Sequence, residues 1–256
     1  RAIKLPQLLK RRSHSTSPGM QSTDFYAQCA SEYEAYAQEK SLYLASVDAE
    51  ITARKKTCET MIDVGCGTGV RSLHLAQGLG VKKLTLIDQN EGMLSRIPSK
   101  EAAQIICADL ADPAWNVQMK ADLVVCLWNV FGHIPTPEQR QQALKNLASC
   151  MHEKSVLFLD VNNRYNVAHY GFFPVVRNIA KDLLTPSPRN GDYPLSIVTP
   201  QGELQTTVHL FTPWELHALF QEAGLVLKRR IALQYMTGKK ASSCFGGQLL
   251  YELVRV

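Results

Sequence analysis

Several features are scarce in this 256-residue chain, and each scarcity removes a class of protein. None of its seven cysteines (Cys29, Cys58, Cys66, Cys107, Cys126, Cys150, Cys244) forms a C-x-x-C pair. Their odd number and their places in apolar runs read as buried thiols of a reducing, cytoplasmic setting, with no disulfide frame and no metal site. The longest apolar stretch, around Leu123 to Leu127, is broken by Asn129 and falls far short of the roughly 18 residues of a spanning helix. A soluble protein without a membrane partner is therefore expected. Acids are missing from residues 1–23, which hold Arg1, Lys4, Lys10, Arg11 and Arg12 and account for the formal charge of +5; from Asp24 onward the chain nets zero. A neutral body is no nucleic-acid surface. The basic head reads first as a flexible solvated tail, with a presequence for organelle import or a polyanion-binding arm as alternatives. No internal repeat is evident.

What is present alternates. Residues 24–58 are good helix formers with Tyr26, Tyr33 and Tyr36 largely at helical intervals, a helical cap. Strands are then expected at 60–65, 83–88, 103–107, 121–127 and 155–161, separated by helices at 70–79, from Glu91, and 137–151. Such alternation predicts a doubly wound α/β fold, a mostly parallel sheet covered by helices. The rhythm breaks at 164–210, rich in Pro, Asn and Gly. Two β-like runs there, Tyr193 to Thr199 and Glu203 to Leu210, flank Pro200-Gln201-Gly202 and predict an inserted hairpin lid. A helix opened by Thr212-Pro213 and closed by Gly224 follows. Two strands, 225–234 and 246–254, complete a seven-stranded sheet; no helix precedes the last, which is expected to run antiparallel. Residues 24–256 thus read as one domain.

The chemistry concentrates at strand ends. Asp63-Val64-Gly65-Cys66-Gly67-Thr68-Gly69 puts an acid ahead of a glycine-rich turn between a buried strand and a helix, where backbone N–H groups can meet a small anionic ligand end. A dinucleotide fingerprint would want Gly or Ala at position 70; Val70 disfavours NAD and an oxidoreductase. Asp88, closing the second strand, stands where a carboxylate accepts from ribose hydroxyls. Asp109 has two readings: acceptor for an adenine amino group with Leu110 covering the ring, or cap of a turn with Asp112-Pro113.

These residues resemble the first motifs of class I S-adenosylmethionine-dependent methyltransferases. Within that class, Gly67-Thr68-Gly69-Val70-Arg71-Ser72, Cys126-Leu127-Trp128-Asn129-Val130-Phe131-Gly132-His133-Ile134-Pro135 and Ala143-Leu144-Lys145-Asn146-Leu147-Ala148-Ser149 are similar to segments of the glycine N-methyltransferase-like, small-molecule group. The resemblance implies S-adenosylmethionine as cofactor. Asp63, Gly65, Gly67 and Gly69 would hold its methionine end, Asp88 with Gln89 and Met93 the ribose side, and Asp109 with Leu110 the adenine. Leu127 and Trp128 would line the methionine part beside His133, Tyr26, Tyr33 and Tyr36 would close over it, and Lys40 would lie near the carboxylate. It further implies methyl transfer to an N or O atom of a small molecule, which the insertion and the helical cap would enclose; because an amine must arrive deprotonated and a hydroxyl must lose a proton, His133, His169 and Tyr170 are the candidates for acid–base assistance. No N-P-P-Y-type tetrapeptide follows the fourth strand; the residues are Leu127-Trp128-Asn129-Val130. Three rivals stand: an NAD-linked oxidoreductase, an RNA methyltransferase using the basic head, and a cofactor-binding protein without catalysis.

Overall fold

The computed structural model describes residues 20–29, 33–199 and 202–256. Most of the basic head and the hairpin apex at Pro200-Gln201 lie outside them. Three helices come first, α1 (Ser22–Cys29), α2 (Tyr33–Glu39) and α3 (Ser41–Arg54). Ser22 and Thr23, read from sequence as the end of the head, open α1.

The sheet then builds through β1 (Thr60–Val64), α4 (Val70–Leu79), β2 (Lys83–Asp88), α5 (Glu91–Leu94), β3 (Gln104–Cys107), β4 (Ala121–Cys126), α6 (Pro137–Ser149) and β5 (Met151–Val161). Helix stops and starts follow local chemistry. Gly80 ends α4 in the left-handed region, and Thr136 caps α6 by accepting from the Gln139 N–H, with Pro137 in the first turn. β5 begins four residues earlier than expected, because Met151 already pairs with Ala121 across an irregularity in β4.

The insertion differs from its expected form. Besides the hairpin β6 (Asp192–Thr199) and β7 (Gly202–His209), it contains two helices, α7 (Val167–Tyr170) and α8 (Phe172–Leu184). Helix α9 (Pro213–Glu222) follows, opened by a capping box in which Thr212 and Glu215 bond each other's backbone. The chain closes with β8 (Leu225–Leu233) and β9 (Gln248–Arg255).

Strand order is β3-β2-β1-β4-β5-β9-β8. β1 to β5 run parallel; β9 lies between β5 and β8 and runs antiparallel to both. One apolar layer, with Leu144, Leu147 and Phe220, fills the face under α6 and α9. The other, with Val47, Ile51, Leu75 and Leu79, lies under α3 and α4. Strand order reverses between β1 and β4, so their carboxyl ends open a crevice there. The hairpin and α1 meet over it: the Thr206 hydroxyl donates to the Met20 carbonyl at 2.8 Å, and the Met20 N–H to the Gln205 carbonyl at 3.1 Å. No helix among the described residues is long and apolar enough to cross a membrane.

Candidate active site

β1 carries Asp63 to the sheet edge and stops, because Gly65 turns the chain at φ +82°. A side chain there would put its Cβ 2.4 Å from Val130, so only glycine lets the turn approach the strand-four loop. Gly67, at φ +56°, donates its N–H to Asp88 Oδ2 at 2.8 Å, while Asp88 Oδ1 accepts the Asn90 N–H at 2.9 Å. Burial raises the Asp88 pKa above the ordinary carboxylate range, and these backbone bonds oppose the rise. Two bonds leave lone pairs on the carboxylate for further donors.

Asp63 does not line the cavity. It is buried behind the turn and accepts the Ser72 hydroxyl at 2.5 Å, and burial lifts its pKa to about 6. Gly69 is likewise packed against Leu86 and Ile97. Asp109 is exposed at the rim, where Oδ1 accepts the Ala111 N–H at 2.8 Å. The turn-capping role is therefore present, and the residue lines the cavity as well. Leu110 beside it is buried.

β4 delivers the opposite wall. Trp128 and Asn129 both adopt left-handed backbone, φ +59° and +61°, a costly state for two successive residues with side chains. Asp160, buried in β5, holds them. Its Oδ2 accepts the Trp128 N–H at 3.0 Å, its carbonyl accepts the Asn129 N–H at 3.1 Å, and its Oδ1 accepts the Tyr43 hydroxyl at 2.5 Å. Trp128 then stacks on Tyr36 (centroids 5.4 Å, 15°) and meets Tyr33 at 5.4 Å. The Thr68 hydroxyl donates to Glu34 at 2.6 Å, tying α2 to the glycine turn.

His133 contacts Tyr26, whose hydroxyl lies 2.9 Å from Nε2; Nδ1 is buried without a hydrogen-bond partner among the described residues. Burial pulls its pKa down to about 4, so the ring is neutral at physiological pH. Leu195, Ile197 and Val208 of the hairpin and Tyr235 after β8 complete a cavity of about 380 Å³. Tyr26, Tyr33, Tyr36, Gly65, Gly67, Asp88, Gln89, Met93, Asp109, Leu110, Leu127, Trp128 and His133 all line it. Lys40 does not. Its amine is buried behind the wall, 5.2 Å from the Tyr235 ring and 3.9 Å from Met236 Sδ, and burial lowers its pKa. His169 and Tyr170 also lie outside the lining, His169 against Tyr235 at 5.5 Å. Sequence reasoning missed Asn90, Asn162, Gln139, Tyr235 and the three hairpin residues. Only the alternation in the hairpin runs was available to signal any of them.

The lining has a distinct electrostatic character. Among the described residues it includes no lysine or arginine, and its charged members are Asp88 and Asp109. A pyrophosphate would find no cation in that described lining, whereas a sulfonium and an ammonium group meet carboxylates of opposite sign. With no Cβ at Gly65 or Gly67, and with Asp88 open to hydroxyl donors, the residues present fit an adenosyl amino acid.

Comparison with known proteins agrees with this reading. Residues 61–154 match the family model described as "Methyltransferase domain". Glycine N-methyltransferase from Oryctolagus cuniculus is 29% identical over 145 residues, 49% of this chain and 48% of the relative, and that from Rattus norvegicus is 30% identical over 146 residues, with the same shares. The chain thus spans about half the length of these curated relatives. Among solved structures, the CcbJ methyltransferase from Streptomyces caelestis superposes with a TM-score of 0.69 at 12% identity, covering 93% of this chain and all of that one. The sugar N-methyltransferase KedS8 from Streptoalloteichus sp ATCC 53650 gives 0.57 at 14%, covering 96% of this chain and 97% of that one. The chain carries a methyltransferase domain. Its fold is the one seen in the S-adenosylmethionine-dependent methyltransferases among the solved structures it resembles.

Proposed function

We propose that the protein transfers a methyl group from S-adenosylmethionine to a nitrogen or oxygen of a small molecule. The observation that carries this is the cavity itself, closed by α1 and the hairpin, acidic at its cofactor end and free of lysine and arginine in its described lining. Gly65 and Gly67 with Asp88 would hold the methionine and ribose parts, and Asp109 with Leu110 the adenine. When bound, S-adenosylmethionine supplies a methyl group already activated by its sulfonium. The protein's share is then position and exclusion of water, and orientation of this sort is worth up to about 7–11 kcal/mol.

His133 is the candidate for moving the acceptor's proton. It is neutral and lines the cavity, and one ring nitrogen has no hydrogen-bond partner among the described residues. A hydroxyl or an ammonium must surrender a proton before its lone pair can attack. The relatives named above are called glycine N-methyltransferases, and the described lining supplies no lysine or arginine for an acceptor's carboxylate. Arg164, a cation in the inserted segment, is buried and committed to Asp182 through Nε at 2.8 Å and Nη2 at 3.1 Å.

Calorimetric titration with S-adenosylmethionine, S-adenosylhomocysteine and NADH, followed by radiolabelled methyl transfer into fractionated cell extract, tests the reading. Heat with the first two ligands only, and label in a small metabolite, is expected. Heat with NADH alone would overturn the cofactor assignment. Label in RNA would overturn the acceptor class.

A further inference from the structure

Helix α8 faces the wrong way for an ordinary surface helix. Two of its polar residues point inward beside the buried Val175: Asp182 takes Arg164 and the Tyr165 hydroxyl (2.7 Å), and Asn178 Oδ1 accepts the Tyr193 hydroxyl at 3.0 Å. Most of its apolar residues point to solvent. Phe173 is 82% and Leu184 81% exposed, with Phe172, Val176 and Leu183 exposed beside them. Trp214 and Phe245, also exposed, flank Tyr165 at ring distances of 5.7 and 6.4 Å. An apolar patch of this kind marks a contact surface.

Charge and shape choose the occupant. Arg177 and Lys181 are exposed on the same helix, neither is in an ion pair among the described residues, and the helix's one acid is turned inward. The covering surface must therefore be apolar with negative charge at its margin. A second copy packed on this face by two-fold symmetry would set Arg177 and Lys181 against their own counterparts. A groove for a peptide would screen the side chains that line it, yet Phe173 and Leu184 stand four-fifths free. A ridge of aromatic and aliphatic residues edged by basic ones is the form that lies in the headgroup region of a bilayer.

We propose that α8, through Phe172, Phe173, Val176, Leu183 and Leu184 with Arg177 and Lys181 at its edge, seats the protein peripherally on an anionic phospholipid surface. No spanning helix is needed for this. The lid hairpin follows α8 in the chain, so the docked face belongs to the same insertion that roofs the cavity.

Co-flotation of the full chain with phosphatidylcholine vesicles, with and without phosphatidylserine, tests the proposal. Two variants accompany the parent: Phe172→Ser, Phe173→Ser, Leu183→Ser and Leu184→Ser combined, and Arg177→Glu with Lys181→Glu. All six positions are exposed, and an unchanged circular dichroism melt shows that the fold survives. Retention on phosphatidylserine vesicles that exceeds retention on phosphatidylcholine alone, and that falls about tenfold or more in each variant, is expected. Absent retention overturns the proposal, as does retention that either variant leaves unchanged, which would point to the basic residues 1–23. A concentration-dependent dimer in sedimentation, dispersed by the serine substitutions, overturns it in favour of a second copy.

Discussion

At the residue scale the site rests on a few groups whose burial sets their chemistry. Asp88 binds two backbone N–H groups and faces the cavity. Asp88→Asn keeps the size but replaces one acceptor oxygen with a donor. The Kd for S-adenosylmethionine, read by calorimetry, is expected to rise by about tenfold or more, since a charge-assisted hydrogen bond is worth about 1.5–3 kcal/mol. His133 supplies a pH signature. Its folded pKa of about 4 lies below the ordinary 6.5, so between these values the unfolded chain holds a proton that the folded chain lacks. Its contribution to stability is full above about pH 6.5 and is lost as pH falls toward 4. Asp63 acts in the opposite sense, because its pKa is raised from 3.8 to about 6; its contribution is full at low pH and is lost as pH rises through 6. In His133→Gln only the first slope disappears. Urea denaturation at neutral pH and near pH 5 is expected to show the parent losing on the order of 1–2 kcal/mol more than the variant.

At the element scale the turn after β4 is the constrained part. Two left-handed residues persist there because Asp160 accepts from Trp128 on one side and Tyr43 on the other. In Asp160→Asn one of these donors would face an amide N–H₂ group. A loss of about 1–3 kcal/mol in urea denaturation is expected, together with a shift in tryptophan emission as Trp128 leaves its stack with Tyr36. Sequence gave no hint of this strain, because the left-handed conformation is normally announced by glycine and here falls on Trp and Asn. The glycine turn and Asp88 were legible for the converse reason, their chemistry being local and fixed by spacing. The alternating strands were legible because burial on both faces leaves continuous apolar runs. Helix α8 was not, since the Pro, Asn and Gly content of residues 164–210 suggested irregular chain and its apolar stripe faces away from the core. Tyr235 and the hairpin residues reach the cavity only through tertiary folding, and no local pattern marks that. Lys40 was expected in the site and lies behind it, because α3 turns its amine toward Tyr235.

At the scale of the whole molecule, binding should register as stability. A ligand that occupies the crevice between α1, the glycine turn and the hairpin holds together elements far apart in the chain. At a concentration of about 100 Kd it adds about 2.7 kcal/mol. For a chain of this size S-adenosylhomocysteine is then expected to raise Tm by roughly 5–10 °C in a thermal-shift series, and NADH to leave it unchanged. The sheet's order carries a different consequence. Of the seven strands, the last in chain order takes an interior place, between β5 and β8. Until it arrives, two partners wait with open hydrogen-bonding edges. The sheet is thus exposed to strand exchange with neighbouring chains until its pairing is completed, by threading a gap instead of extending a border.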